Sequence, residues 1–207
     1  MNDSVHKSEF VNCVVDGRSL KVKRGENLLE AARRHGLNVP GFCHHPNLSP
    51  SESCGLCEVE IRGIDKPVAA CSFVIEEEVS VRSRSDDLDA RRHTRVGELY
   101  RDHPADCPRC DLNGDCSIQD LYLDHGGEGQ DNEFTDDSAP PGSRQPEPLG
   151  PSVALHAPRC VGCELCVRFS DEIAGDSALR LDPKTGCVEL ASDTPLNGNY
   201  SLNTVDL

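Results

Sequence analysis

Cys54-Gly55-Leu56-Cys57-Glu58-Val59-Glu60-Ile61 is the stretch on which the fold turns. Two cysteines separated by a two-residue gap run directly into alternating acidic and β-branched residues. That is the pattern of a loop presenting paired thiolates before a half-buried strand. Gly55 permits the tight backbone that lets both thiolates face one metal centre.

Outward from this knuckle, Cys43 precedes it by a gap of ten residues and Cys71 follows it by a gap of thirteen, so four thiolates are available. A four-cysteine zinc site usually pairs two CxxC knuckles, each a local chelate. One knuckle flanked by two lone cysteines, in β-rich surroundings, favours a [2Fe-2S] cluster on Cys43, Cys54, Cys57 and Cys71. His44 and His45 follow Cys43 and are expected to pack the loop rather than ligate.

Upstream, residues 10–15 and 19–22 are β-rich runs around Asp16-Gly17, a hairpin signal. Asn27 then precedes Leu28, Leu29, Ala31 and Ala32, with Arg33, Arg34 and His35 before Gly36. An Asn cap, late cations and a closing glycine specify one short helix. Residues 41–53 read as loop, and residues 57–61 and 67–81 return to β-branched composition. The expectation is an α+β unit over residues 1–85.

Leu88, Arg92, Val96, Leu99 and Tyr100 recur at helical spacing over residues 86–102, with Asp86 or Asp87 able to cap the helix. This helix delivers the second group: His103, Cys107, Cys110 and Cys116, with gaps of three, two and five. One imidazole and three thiolates complete a four-ligand site, and zinc and a [4Fe-4S] cluster both accept such a set. Residues 126–151, rich in Gly, Pro, Asp, Glu and Ser and without periodicity, read as an exposed linker. The third group is Cys160-Val-Gly-Cys163-Glu-Leu-Cys166, the opening of a cubane-binding run. A bacterial ferredoxin continues to a fourth cysteine before a proline, where this chain has Ser170 and Asp171. Cys13 and Cys187 have no partner at ligand spacing and are expected to pack as small side chains, with Cys187 a weak substitute for a fourth ligand.

Composition bounds the rest. The 207 residues carry 12 cysteines, no tryptophan and only 4% aromatics, so cores are modest and metal ligation is the natural staple. The first ten residues lack a signal-peptide core, which fits a reducing compartment. A net charge of -15 argues against nucleic acid and anionic lipid surfaces. The longest nearly apolar run, Val68 to Ile75, is too short for direct membrane insertion. No GxGxxG, P-loop, GxSxG or HExxH pattern occurs, so no catalytic residue is expected, and NADH or flavin would bind a partner chain.

Gly41-Phe-Cys-His-His-Pro46, Cys54 to Glu60 and Lys66-Pro-Val-Ala-Ala-Cys71 closely resemble the N-terminal region of the large peripheral iron-sulfur subunit of respiratory NADH:quinone oxidoreductase, complex I. The second group resembles the His-Cys motif of that subunit and of related NAD-linked hydrogenases and formate dehydrogenases, which binds a [4Fe-4S] cluster. Arg159 to Gly175 resembles the complex I version, whose fourth thiolate lies well downstream in an Asp-Leu-Cys-Pro-like stretch. The resemblance implies a β-grasp [2Fe-2S] domain over 1–85, a [4Fe-4S] domain with one histidine and three cysteine ligands over 86–125, the linker 126–151, and an incomplete ferredoxin-like [4Fe-4S] segment over 152–207. The last is read as cut before its fourth ligand. Implied partners are a flavin/NADH-binding subunit and other peripheral-arm subunits, with a peripheral location on the cytoplasmic side of the inner membrane. The alternatives are a cluster subunit of an NAD-linked hydrogenase, diaphorase or formate dehydrogenase, and a zinc-stabilised interaction module.

Overall fold

The structure, a computed structural model, describes residues 8–104, 107–126, 147–148 and 154–191. Two compact units form: one takes the chain up to Gly41 together with Gly55–Arg92, the other takes Phe42–Cys54 together with the chain from His93 onward. Of the linker expected over 126–151, only Gly126, Glu147 and Pro148 fall within the described residues.

In the first unit, β1 (Phe10–Val15) and β2 (Arg18–Lys23) pair antiparallel, from Phe10 opposite Lys23 to Val15 opposite Arg18. Their turn has Asp16 at φ 48° and Gly17 at φ 80°, the doubly left-handed geometry that matches strand twist. After β3 (Glu26–Asn27) comes α1 (Leu28–Arg34), capped as the sequence predicts. The Asn27 Oδ1 accepts from the backbone N–H groups of Leu29 and Glu30 at 3.0 and 3.2 Å. Leu28, Leu29, Ala31 and Ala32 are its buried face.

Strands β4 (Glu58–Ile61), β5 (Val68–Ala69), β6 (Val74–Ile75) and β7 (Val79–Arg82) follow. The main sheet runs β2-β1-β7-β4-β5, and β3 pairs with β6 as a separate ladder. The β1 and β7 strands are parallel, with Cys13 opposite Val79, whereas β4 is antiparallel to β7 and β5. A parallel pair needs a long crossover, and α1 with the cysteine loop belongs to it. A hairpin, a helix and a mixed sheet in which the first strand lies beside the last constitute the expected β-grasp, and the class is α+β. Cys13 is a core residue at 0% exposure, with burial pushing its thiol up to about 11.

The helix α2 (Asp86–Asp102) has the extent its periodicity predicts, but its cap differs. Ser85 does the capping: its Oγ accepts from Leu88 N at 3.3 Å and its carbonyl from Asp89 N at 2.9 Å. Asp86 and Asp87 instead occupy the first turn, where negative charge complements the helix dipole.

The second unit is built from shorter pieces. These are a 3-10 turn at Cys107–Arg109, α3 (Ser117–His125), the strand pair β8 (Glu147–Pro148) with β9 (Ala154–Leu155), and a 3-10 turn at Ala157–Arg159. Then α4 (Leu165–Arg168) runs into a π-helical turn at Phe169–Ala174, and β10 (Leu179–Leu181) pairs antiparallel with β11 (Val188–Leu190). Leu179 and Val188 are buried, with Leu155, Cys160, Cys166 and Val167 packed on them. Among the described residues, no helix is long and apolar enough to cross a membrane.

Candidate metal centres

In the first unit, Cys57 and Cys71 are each 1% exposed and belong to the apolar core. Backbone bonds fix both: Ala70 N donates to the Cys57 carbonyl at 3.0 Å, and the Asn27 side-chain amide donates to the Cys71 carbonyl at 2.6 Å. The cap of α1 therefore also anchors a cysteine. Gly55 takes φ 62°, the left-handed conformation the knuckle requires. From α2, the buried Arg92 donates through Nε to Leu56 O at 3.1 Å and through Nη2 to Glu58 O at 2.9 Å. Burial pulls its guanidinium below the usual arginine range, opposed by Asp89.

In the second unit, Cys43 and Cys54 are buried with their Sγ atoms 3.3 Å apart. That is well beyond the roughly 2.05 Å of a disulfide, so the two thiols remain ligand-competent. Arg95 donates through Nη2 to Ser53 O at 3.0 Å and through Nε to Cys54 O at 3.3 Å. His45 packs the loop as expected, its Nδ1 accepting from Asn47 N at 3.2 Å.

His103, Cys107, Cys110 and Cys116 all line one pocket, walled by Tyr100, Leu112 and Ile118. Burial, and then the neighbouring Cys107 and Cys116, push the Tyr100 hydroxyl up to about 12. Its ring lies 4.3 Å from that of Tyr122, which ties α3 to the cavity wall. An imidazole and three thiols around one apolar-walled space fit a multi-iron group, whose terminal ligands bind different irons.

Cys160, Cys163 and Cys166 also come together. Burial and then the Cys163 and Cys160 thiols push Cys166 up to about 11, and Cys163 is raised by burial and by Cys160 and Cys43. Thiols that resist ionising on their own become thiolates readily against iron. Left-handed conformations at Gly162 (φ 62°) and Glu164 (φ 61°) turn the chain between them. Cys187, which has no partner at ligand spacing in the sequence, lies near Cys160: burial and then that thiol push its own thiol up, and its Sγ lies 3.5 Å from Ala157 O. The β10–β11 turn brings it there across the sequence. Ser170, at the position of the missing ferredoxin cysteine, is buried; its Oγ donates to Asp176 at 2.7 Å and accepts from Ala178 N at 2.8 Å. It shapes the turn into β10.

Among the described residues, no three His, Cys, Asp or Glu side chains converge as ligands of a single metal ion do. Composition and spacing missed the arginines that hold these loops: Arg92, Arg95 and Arg168. Only Arg92 left a signal, standing on the apolar stripe of α2 between Leu88 and Val96.

Three sequence families tile the chain. The 2Fe-2S iron-sulfur cluster binding domain matches residues 8–86, the NADH-ubiquinone oxidoreductase-G iron-sulfur binding region matches 92–130, and the ferredoxin-like domain of the third NADH-quinone oxidoreductase subunit matches 150–207. The NADH-quinone oxidoreductase G subunit of Mycobacterium bovis is 34% identical over 98% of this chain and 25% of its own length. The NADH-ubiquinone oxidoreductase 75 kDa subunit of Reclinomonas americana is 32% identical over 96% of this chain and 28% of its own length. The chain thus spans about a quarter of the length of these curated relatives. Among solved structures, a chain of an NAD+-reducing [NiFe]-hydrogenase in the H2-reduced state superimposes with a TM-score of 0.73 at 29% identity, covering 89% of this chain and 76% of its own. With one [2Fe-2S] and two further iron-sulfur families in register with its three cysteine groups, the chain belongs to the family of the NADH-quinone oxidoreductase G subunit, as part of its iron-sulfur region.

Proposed function

We propose that this chain carries electrons within complex I, from NADH by way of a flavin-bearing partner subunit toward quinone. Cys43, Cys54, Cys57 and Cys71 hold a [2Fe-2S] cluster, and His103, Cys107, Cys110 and Cys116 hold a [4Fe-4S] cluster. Cys160, Cys163 and Cys166 supply three ligands to a further [4Fe-4S] cluster. The domains run 1–85, 86–125 and 152–207, with the linker 126–151. The chain sits peripherally on the cytoplasmic side of the inner membrane through its partner subunits.

The observation that carries this reading is the single cavity lined by His103 and all three cysteines of its group. Bound clusters supply one-electron transfer at potentials set by ligand type, hydrogen bonding and burial. The chain's own residues do the rest. Arg92, Arg95 and Asn27 hold the carbonyls beside the cysteines of the first group. Burial of Cys43, Cys54, Cys57 and Cys71 excludes water from their thiolates. His103 offers a neutral donor where a thiolate would add negative charge, which makes that site easier to reduce. No side chain needs to act as acid, base or nucleophile.

Iron and acid-labile sulfide analysis with EPR of the reduced protein tests the reading. Both elements, with separate binuclear and cubane signals, are expected; zinc without sulfide would replace the reading with an interaction module. Cys57→Ser should remove the binuclear signal alone and Cys110→Ser one cubane signal alone. A second reading, the cluster subunit of an NAD-linked hydrogenase, has the structural likeness in its favour. Hydrogen-dependent NAD reduction by the purified assembly would select it, whereas Ser170 in place of a ferredoxin cysteine favours complex I.

A further inference from the structure

Arg168 is 8% exposed, at the end of α4 two positions beyond Cys166. Its guanidinium is spent on backbone carbonyls belonging to two cysteine groups. Nη1 donates to Ser49 O, and Nη2 donates to both Cys43 O and Cys163 O, the latter at 3.2 Å. Glu172, one turn further on, holds the same loop by accepting from Ser49 N at 2.8 Å and from Ser49 Oγ. The Arg168 Nε is sealed from solvent and has no hydrogen-bond partner among the described residues.

Three neutral carbonyls satisfy hydrogen-bonding donors, but they do not neutralise a buried cation. A buried charge is retained when an opposite charge faces it. Glu172 feels the Arg168 charge only as the last of its influences. Two of the three carbonyls belong to Cys43 and Cys163, and the Cys163 sulfur feels both the Cys43 sulfur and the Arg168 charge. Thiolate-ligated iron-sulfur groups bring negative charge there, and each gains more on reduction.

We propose that Arg168 is a positioning residue shared by the first and third cysteine groups, tying the Cys43 backbone to the Cys163 backbone and raising the reduction potentials of the clusters bound at both. This rests on the cluster assignments proposed above. A cation beside a group that becomes more negative favours its reduced form, so the two potentials move together when the charge goes. The loop carrying Cys43 is also held at fixed spacing from the loop carrying Cys163.

The test is an EPR-monitored redox titration of the full-length protein purified anaerobically with its clusters, comparing wild type, Arg168→Gln and Arg168→Lys. Arg168→Gln keeps amide donors but loses the charge. Both the binuclear signal and the signal of the third group should shift to lower potential, each reduction equilibrium by about tenfold, 59 mV for a one-electron couple. The signal of the His103 group should stay within a twofold change. Arg168→Lys keeps the charge and should leave both midpoints near wild type while broadening the signals as the fork is lost. Unchanged midpoints in Arg168→Gln, or a shift confined to one group, would overturn the proposal. If Arg168→Gln fails to load a cluster, Arg168→Lys decides: both clusters at wild-type midpoints support it, and loss or displacement of either overturns it. Failure of the underlying cluster assignments appears separately, as missing sulfide or missing signals in the wild-type protein.

Discussion

The first and second units hold their cysteines by different means, and the contrast says what each needs from metal. Among the described residues, the first unit has twice as many buried apolar and cysteine side chains as the second. Cys57 and Cys71 are part of a core with Leu28, Leu29, Val59 and Ile75. By contrast, Cys107, Cys110, Cys116, Cys160, Cys163 and Cys166 are half-buried, carried on turns, loops and the short α4 rather than on a sheet. Small segments that bury little apolar area need a staple, and metal binding energy there is folding energy.

The largest expected effect breaks the molecule along that line. Stripping iron with a chelator under anaerobic, reducing conditions should abolish amide protection across residues 107–125 and 154–191 while β1, β2 and β7 stay protected. Hydrogen exchange read by mass spectrometry checks this. Equal loss in the β-grasp sheet would mean that its core does not stand alone, and the contrast would fail.

Next in size is Leu29→Ala, which removes a fully buried side chain from the first unit. Such truncations cost about 2–5 kcal/mol. Denaturant unfolding should show that loss in the first unit's transition, with the EPR signal of the His103 group unchanged at low denaturant. A smaller effect is expected for Asn27→Ala. The cap is worth about 1 kcal/mol, and the bond to Cys71 O adds about another. Its sharper readout is the binuclear EPR line shape, because the Cys71 carbonyl loses its donor; a purely helical role would change stability and leave that line shape alone.

What sequence made legible follows the range over which each signal acts. The Asp16-Gly17 turn, the Asn27 cap and the span of α2 are set by neighbours within a few positions, and all three are where the pattern put them. Even locally, Ser85 won the cap of α2 from the aspartates because a hydroxyl one residue earlier reaches Leu88 N. The cysteine groups were readable because ligand spacing is itself local. Three things were not. Arg95 and Arg168 look like surface cations in sequence, since nothing nearby records that their partners are carbonyls 42 and 119 positions away. Cys187 reaches Cys160 only through the pairing of β10 with β11, which no two-residue gap encodes.

The smallest effect probes how the second unit keeps the Cys43 loop in place without a large core. Glu172 accepts from Ser49 Oγ and Ser49 N, and those bonds, with a minor contribution from Arg168, hold its carboxyl below the usual carboxylate range. In the unfolded chain the carboxyl returns to that range. The folded state therefore binds the proton more weakly, and this contact stabilises fully above the ordinary carboxylate value and is lost as pH falls through the depressed one. Glu172 is exposed, so solvent screens it and the effect stays modest. Exchange protection of the segment around Ser49, corrected for intrinsic rates, should fall in wild type as pH drops through the carboxylate range. In Glu172→Gln it should be lower at neutral pH and nearly flat with pH. If the two proteins showed the same acid profile, Arg168 alone would be holding the loop.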